Sequence, residues 1–186
     1  MSPDRSGNGL LKVAAAGVFT GLLTPLLPTL IDKLLGAPGD LRIALVAVPF
    51  AVLVAILVRR LSLNPWWAAL AAAVITMVAF VCAVNAAIWI DGQVGDVAKA
   101  VRNGCAGLAG GFVGSGVMAL GIGLLPAGPR NASAWLPMLA IGTIAGALLA
   151  VDSALELDLT SVLYPLWQAG VAVALAMALQ RITARS

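Results

Sequence analysis

Histidine is absent from this 186-residue chain. Its absence removes the commonest general base, the commonest metal ligand and any histidine-ligated haem. Cysteine is scarce. Cys82 and Cys105 both fall inside apolar runs and form no CxxC or zinc-type spacing. They read as small buried hydrophobes, with a disulfide between them as the less favoured alternative. Charge is scarce too, at 10% of residues against the roughly 25% usual in a soluble domain. None of the eight acids falls inside a long apolar run, and no helix is rich in arginine. That argues against a proton relay or a voltage sensor within a membrane. No serine has a plausible base beside it. No catalytic residue, metal ligand or cofactor is therefore expected, and an enzyme is disfavoured. A basic stripe of the kind that binds nucleic acid is also missing.

Apolar sequence fills the space left by these absences, with 61% of residues hydrophobic. Charges mark off six runs, at about 10–31, 41–58, 65–90, 100–125, 134–151 and 159–180. Each is near the ~20 residues that cross a bilayer as a helix. They are continuous rather than alternating, which excludes a transmembrane β-barrel. The expected fold is all-α: one polytopic membrane domain of six transmembrane helices, with polar tails at 1–9 and 181–186. The N-terminal stretch does not read as a removed signal peptide, because Lys12 interrupts the apolar run and no small-residue cleavage site follows.

Orientation follows from lysine and arginine. With both termini cytoplasmic, Arg5, Lys12, Arg59, Arg60, Arg130, Arg181 and Arg185 lie inside, against Lys33, Arg42, Lys99 and Arg102 outside. Seven of the eight acids, all but Asp4, then lie outside. Trp66, Trp67, Trp89 and Trp135 stand at the ends of runs, as an interfacial belt would. Trp167 lies deeper. Short loops and an Ala- and Arg-heavy composition point to a bacterial cytoplasmic membrane.

The fourth run, GCAGLAGGFVGSGVMALGIG from Gly104, is the most distinctive. Gly107 with Gly111, and Gly110 with Gly114, form overlapping small-xxx-small pairs, continued by Ser115. Such faces let helix backbones touch. Three readings stay open: packing within one subunit, a homodimer seam, or a narrow pore lining. In the first run, Pro25 and Pro28 lie among Thr20, Thr24 and Thr29. Proline removes a donor and crowds the preceding turn. The TPLLP segment is thus expected either to kink or unwind, with threonine hydroxyls serving the freed carbonyls, or to end the helix near Thr24. Pro49 should kink the second helix.

Asn85 and Gln168 are the two carboxamides at membrane depth. Burying an unpaired amide costs roughly 2–7 kcal/mol, so both should face protein or a wet cavity, and they are candidates to bond each other. A polar vestibule rimmed by Asp91, Asp152, Glu156 and Asp158 is the functional reading.

The halves share Pro-x-Trp-x-Ala, at Pro65 and at Pro165, and small-residue stretches at Ala16–Gly21 and Gly110–Ser115. With three helices each, they would form an inverted repeat of the kind transporters use. In size and helix count the chain resembles the substrate-binding membrane subunits of vitamin uptake systems. Ala14, Ala15 and Ala16 are loosely similar to the small-residue face by which such subunits meet their partner. The function this points to is transport of a small solute or ion, by a channel, a carrier or a substrate-binding subunit. The alternative is a non-transporting accessory subunit of a larger membrane complex. Expected partners are the lipid bilayer and a second copy or a complex subunit, and no nucleic acid.

Overall fold

The computed structural model describes residues 4–95, 97–157 and 160–183. Asp96, Asp158, Leu159 and Arg185 lie outside the described residues. All regular structure among the described residues is helical. α1 (Asp4–Leu23) passes through a 3₁₀ turn (Thr24–Leu26) into α2 (Leu27–Leu34). α3 (Gly39–Val46) and α4 (Val48–Leu61) form a pair bent by 53°. α5 (Trp66–Gln93) and α6 (Lys99–Gly123) are long and unbroken. α7 (Ala132–Gly146) and α8 (Leu149–Ala154) together make one span, and α9 (Leu163–Thr183) completes the chain. Five of these spans are long and apolar enough to cross a membrane, and six if the bent pair is counted as one.

Prolines explain most of the breaks. Pro49 has no N–H to offer the preceding turn, and the second span bends immediately before it. Pro165 falls in the first turn of α9, where a missing N–H costs nothing. TPLLP behaves differently from either expectation. The helix neither unwinds nor stops at Thr24. It tightens, so that Leu27 N–H donates to the Thr24 carbonyl that Pro28 cannot reach. The threonine hydroxyls bond back within the helix, Thr24 to the Thr20 carbonyl at 3.1 Å and Thr20 to the Gly17 carbonyl at 3.0 Å. The predicted polar tail at 1–9 is helical from Asp4.

The spans pack as a ring in chain order. α1 lies beside α9 and α4, α4 beside α5, α5 beside α6, α6 beside α7, and α7 beside α9. Phe50, Val54, Val58, Met118, Met138, Val171, Leu175 and Leu179 fill the centre and are almost wholly buried. Outward faces carry the apolar residues that lipid would cover. On the first span they run as Leu11, Phe19, Leu22, Leu26, Leu30 and Leu34, at helical spacing straight through the 3₁₀ turn.

In this ring each helix of the first half stands across from its would-be repeat mate. A dyad in the membrane plane mirrors the ring in projection, and no mirroring gives that pairing, so the arrangement lends the inverted repeat no support. The shared Pro-x-Trp-x-Ala stretches also do different jobs. Pro65 caps α5, with Trp66 and Trp67 exposed, whereas Trp167 is buried edge-on against Phe50 at 5.7 Å.

The charges divide by end. One end carries Lys12, Arg59, Arg60, Arg130 and Arg181 and is here the basic end. The mixed-charge end carries Asp32, Lys33, Asp40, Arg42, Asp91, Lys99, Arg102, Asp152 and Glu156. There Arg42 pairs with Asp32 at 2.8 Å and Arg102 with Asp91 at 2.9 Å. Trp67 and Trp89 are exposed at opposite ends of α5, about 33 Å apart at 1.5 Å per residue, close to the ~30 Å hydrocarbon thickness. Trp135 departs from the belt. It is buried, and its indole N–H donates to the Pro129 carbonyl at 2.8 Å, so it has no need of interfacial water.

Candidate functional site

Glycine sets how closely the walls of the site approach. On α6, Gly107 and Gly111 face Gly146 and Gly142 of α7; a Cβ at either α6 position would lie 2.0–2.1 Å from the facing glycine's carbonyl oxygen. The opposite glycine pair of α6, Gly110 and Gly114, faces Ala83, Ala87 and Ala79 of α5. Both faces are therefore spent inside one subunit, which takes them away from a homodimer seam. A third seam joins α1 to α9, where Gly17 and Gly21 meet the backbone of Ala169 and Pro165. Sequence reading missed that seam and the α7 side of the first, although Gly17-x-x-x-Gly21 and Gly142-x-x-x-Gly146 carry the same spacing as the α6 pairs.

At the mixed-charge end the helices splay and leave two adjoining spaces. The upper is a polar vestibule of about 640 Å³. Its walls are Pro25 and Pro28 of the first span, Lys99 at the start of α6, Asp152 and Ser153 of α8, Glu156 and Ser161 of the following loop, and Tyr164. The lower is an apolar pocket of about 200 Å³ between α5, α6, α7 and α9. It is floored by Gly107, Gly110, Gly111 and Gly146 and walled by Phe80, Ala87 and Trp167. Leu149, Leu163 and Tyr164 line both spaces and so mark the boundary between them. Tyr164 also lies against Phe80, ring centres 6.1 Å apart, and this contact bridges α5 to α9. Below Trp167 the interior is closed by the central core.

Asp152 builds the vestibule wall. It is buried, and its carboxylate accepts from Ser161 Oγ, from Val162 N–H at 2.8 Å and from Leu163 N–H at 3.4 Å. Ser161 Oγ in turn accepts from Tyr164 N–H at 3.3 Å. Together they cap α9, whose first N–H groups have no helical partners and favour an anion. Of the expected acidic rim, then, Asp152 is committed to α9 and Asp91 to Arg102. Glu156 stays at the mouth, with φ +51°. It occupies the left-handed position after α8, with Leu157 N–H donating to the Asp152 carbonyl at 3.0 Å. This is the helix ending that normally takes glycine.

The expected site residues scatter. Pro25 and Pro28 line the vestibule, and Gly107, Gly110 and Gly111 line the pocket. Gly114 packs against α5 and the Trp167 ring. Ser115 is fully buried and bonds the Gly111 carbonyl of its own helix at 2.6 Å, so it lines no pore. Asn85 is exposed on α5 and donates to Asp40 at 3.1 Å and to the Val81 carbonyl at 2.9 Å, pinning α3 against α5. Gln168 is fully buried, donating from Nε2 to Thr24 Oγ1 at 2.8 Å. The two carboxamides do not meet, because Asn85 lies on an exposed face of α5 beside α3 whereas Gln168 is buried against Thr24 of the first span. Cys82 and Cys105 are free.

Gln168 Oε1 has no partner. An unpaired buried acceptor costs about 1–3 kcal/mol, which offsets most of what the Thr24 bond contributes. Gln168→Met should therefore change stability by less than about 1 kcal/mol. A thermal midpoint in detergent well below wild type would show that the amide is a needed tie between α1 and α9.

These features define a class: an all-helical, multi-pass membrane protein with a cleft opening at one end. Set against known proteins, the chain matches no family model, no curated protein and no solved structure.

Proposed function

We propose that the protein is a transport-type membrane protein that binds a small amphipathic solute in this two-part cleft. The observation that carries the reading is the stacking of a polar vestibule directly on an apolar, aromatic-walled pocket. A cavity of about 150 Å³ is enough to bind benzene. The solute's apolar part then seats against Trp167 and Phe80 while its polar end stays beside Lys99 and Glu156. Glu156 supports this reading. A left-handed non-glycine residue costs on the order of 1–3 kcal/mol, a cost that a carboxylate needed at the mouth would explain. The closed core below Trp167 fits a carrier or binding subunit resting open at one end better than a continuous channel. The paired glycine faces of α6, α7 and α1 are turned inward, which favours this reading over an accessory subunit docking through such a face. On this reading the termini are cytoplasmic and the cleft faces outward from a bacterial inner membrane, which the bias of lysine and arginine supports. Nothing in the reading requires the halves to be a repeat.

Ala87→Phe tests it by filling the pocket, with lipid-facing Val78→Phe on the same helix as control. A panel of small aromatic and aliphatic amines, acids and zwitterions is screened for a rise in thermal midpoint and a change in tryptophan fluorescence. Hits are then followed as flux in liposomes. Ala87→Phe should abolish the response and the flux, and Val78→Phe should preserve both. Glu156→Gly should be more stable than wild type yet bind cationic hits more weakly. If no solute responds, or Ala87→Phe responds like wild type, the cleft is not the site.

A further inference from the structure

The basic end holds a feature that the cleft does not use. The turn between α4 and α5 is rigidly built. Ser62 Oγ donates to the Val58 carbonyl at 2.6 Å and accepts from Asn64 Nδ2 at 2.9 Å. Asn64, only 2% exposed, accepts from Ala127 N–H at 2.8 Å, which ties this turn to the loop carrying Arg130. That loop is itself held, through Pro129, by the Trp135 indole. What the fixed turn presents outward is specific: Arg59 and Arg60 in the last turn of α4, exposed and about 100° apart around its axis, then Leu63 at 76% exposure, Trp66 at 68% and Trp67 at 48%. The two ion pairs among the described residues both lie at the other end, and among those residues no carboxylate pairs with Arg59, Arg60 or Arg130.

We infer that this turn is a binding site for the headgroup of an anionic phospholipid. Guanidinium groups match phosphate oxygens as planar forks and carry charge at every physiological pH. Tryptophan rings settle at the headgroup level, and an exposed leucine beside them needs acyl chain rather than water. Arginine with no acid partner among the described residues, beside apolar and indole surface at a helix end, is complementary to a phosphodiester with a lipid tail. A soluble phosphate would leave Leu63 and the two indoles bare. The asymmetry between ends makes the site local, since Arg42 and Arg102 of the mixed-charge end are paired with carboxylates.

The test uses the full chain in nanodiscs of equimolar phosphatidylcholine and phosphatidylglycerol, with retained lipid identified by native mass spectrometry. Wild type should keep phosphatidylglycerol preferentially. Raising salt should release it before phosphatidylcholine, a readout that needs no variant. Arg59→Gln with Arg60→Gln should cut the preference roughly thirtyfold, the scale of two basic residues at an anionic surface. Lys12→Gln with Arg181→Gln, exposed cations of the same end on other elements, should keep most of it. Equal retention of the two lipids by wild type would overturn the inference. So would equal losses in the two double variants, which would reduce the effect to the general charge of that end. Full displacement by glycerol phosphate would also overturn it, by showing a site for soluble phosphate.

Discussion

Gly111→Val should leave little or no monodisperse protein on size exclusion in mild detergent. A Cβ at position 111 would lie 2.1 Å from the Gly142 carbonyl oxygen and 3.2 Å from the Gly146 Cα. These are backbone atoms, with no rotamer to retreat into. The reciprocal contact, from a Cβ on Gly146 to the Gly107 oxygen at 2.1 Å, shows that α6 and α7 touch along the whole seam. Adding bulk therefore has to separate the helices. In lipid that separation loses packing which no hydrophobic effect restores. The cost should exceed the roughly 1–3 kcal/mol typical of overpacking a core that can adjust. The same movement opens the floor of the apolar pocket, so solute binding would fail even in surviving protein. Gly92→Ala is the control. It lies in α5 with nothing within 4 Å of its added Cβ, and should be neutral or stabilise by up to about 1 kcal/mol. A Gly111→Val protein that elutes and melts like wild type would mean that α6 and α7 do not pack this closely.

The second large effect is expected at Asp152. Asp152→Ala removes the acceptor for Ser161 Oγ, Val162 N–H and Leu163 N–H together. Hydrogen bonds to a charged group contribute about 1.5–3 kcal/mol each, and donors left unpaired cost more. A loss of about 3 kcal/mol or more is expected, read as a lower thermal midpoint and faster protease cleavage between α8 and α9. Asp152→Asn keeps one acceptor oxygen and should lose less, and Ser161→Ala, which leaves the carboxylate on Val162, less again. If Asp152→Ala melted with wild type while Glu156→Ala did not, the roles assigned to these two carboxylates would be reversed. The cap also fixes Tyr164 and Leu163, which line both vestibule and pocket, so stability and binding should fall together.

Asp152 shows where sequence reading stopped. As an acid just past an apolar run it was legible as part of a polar rim, and it does line the vestibule. Its partners are nine to eleven residues away, across a loop whose path no local pattern specifies. Gln168 faces protein, as expected of a carboxamide in an apolar run, whereas Asn85 is exposed and finds its partners in Asp40 and the Val81 carbonyl. The partner of Gln168 was misassigned to Asn85, since proximity in an apparent repeat is not proximity in a ring. Trp135 was read as a belt residue from its place at a helix end. The carbonyl that satisfies its N–H belongs to a loop residue six positions earlier, so the ring could turn inward.

Sequence alone reaches the class of structure: apolar helices of membrane length, interrupted at Pro49, with nearly all the acids gathered at one end. Each of these follows from a rule acting within one segment, whether bilayer thickness, proline's missing donor or the cost of charge in hydrocarbon. Tertiary structure alone decided which glycine face meets which helix, which carboxylate is committed to a helix end, and where space is left over. Those outcomes depend on how several spans of similar composition are ordered around a common axis. In lipid that order is set by the closest backbone approach between pairs, a property of two helices at once that neither sequence carries alone.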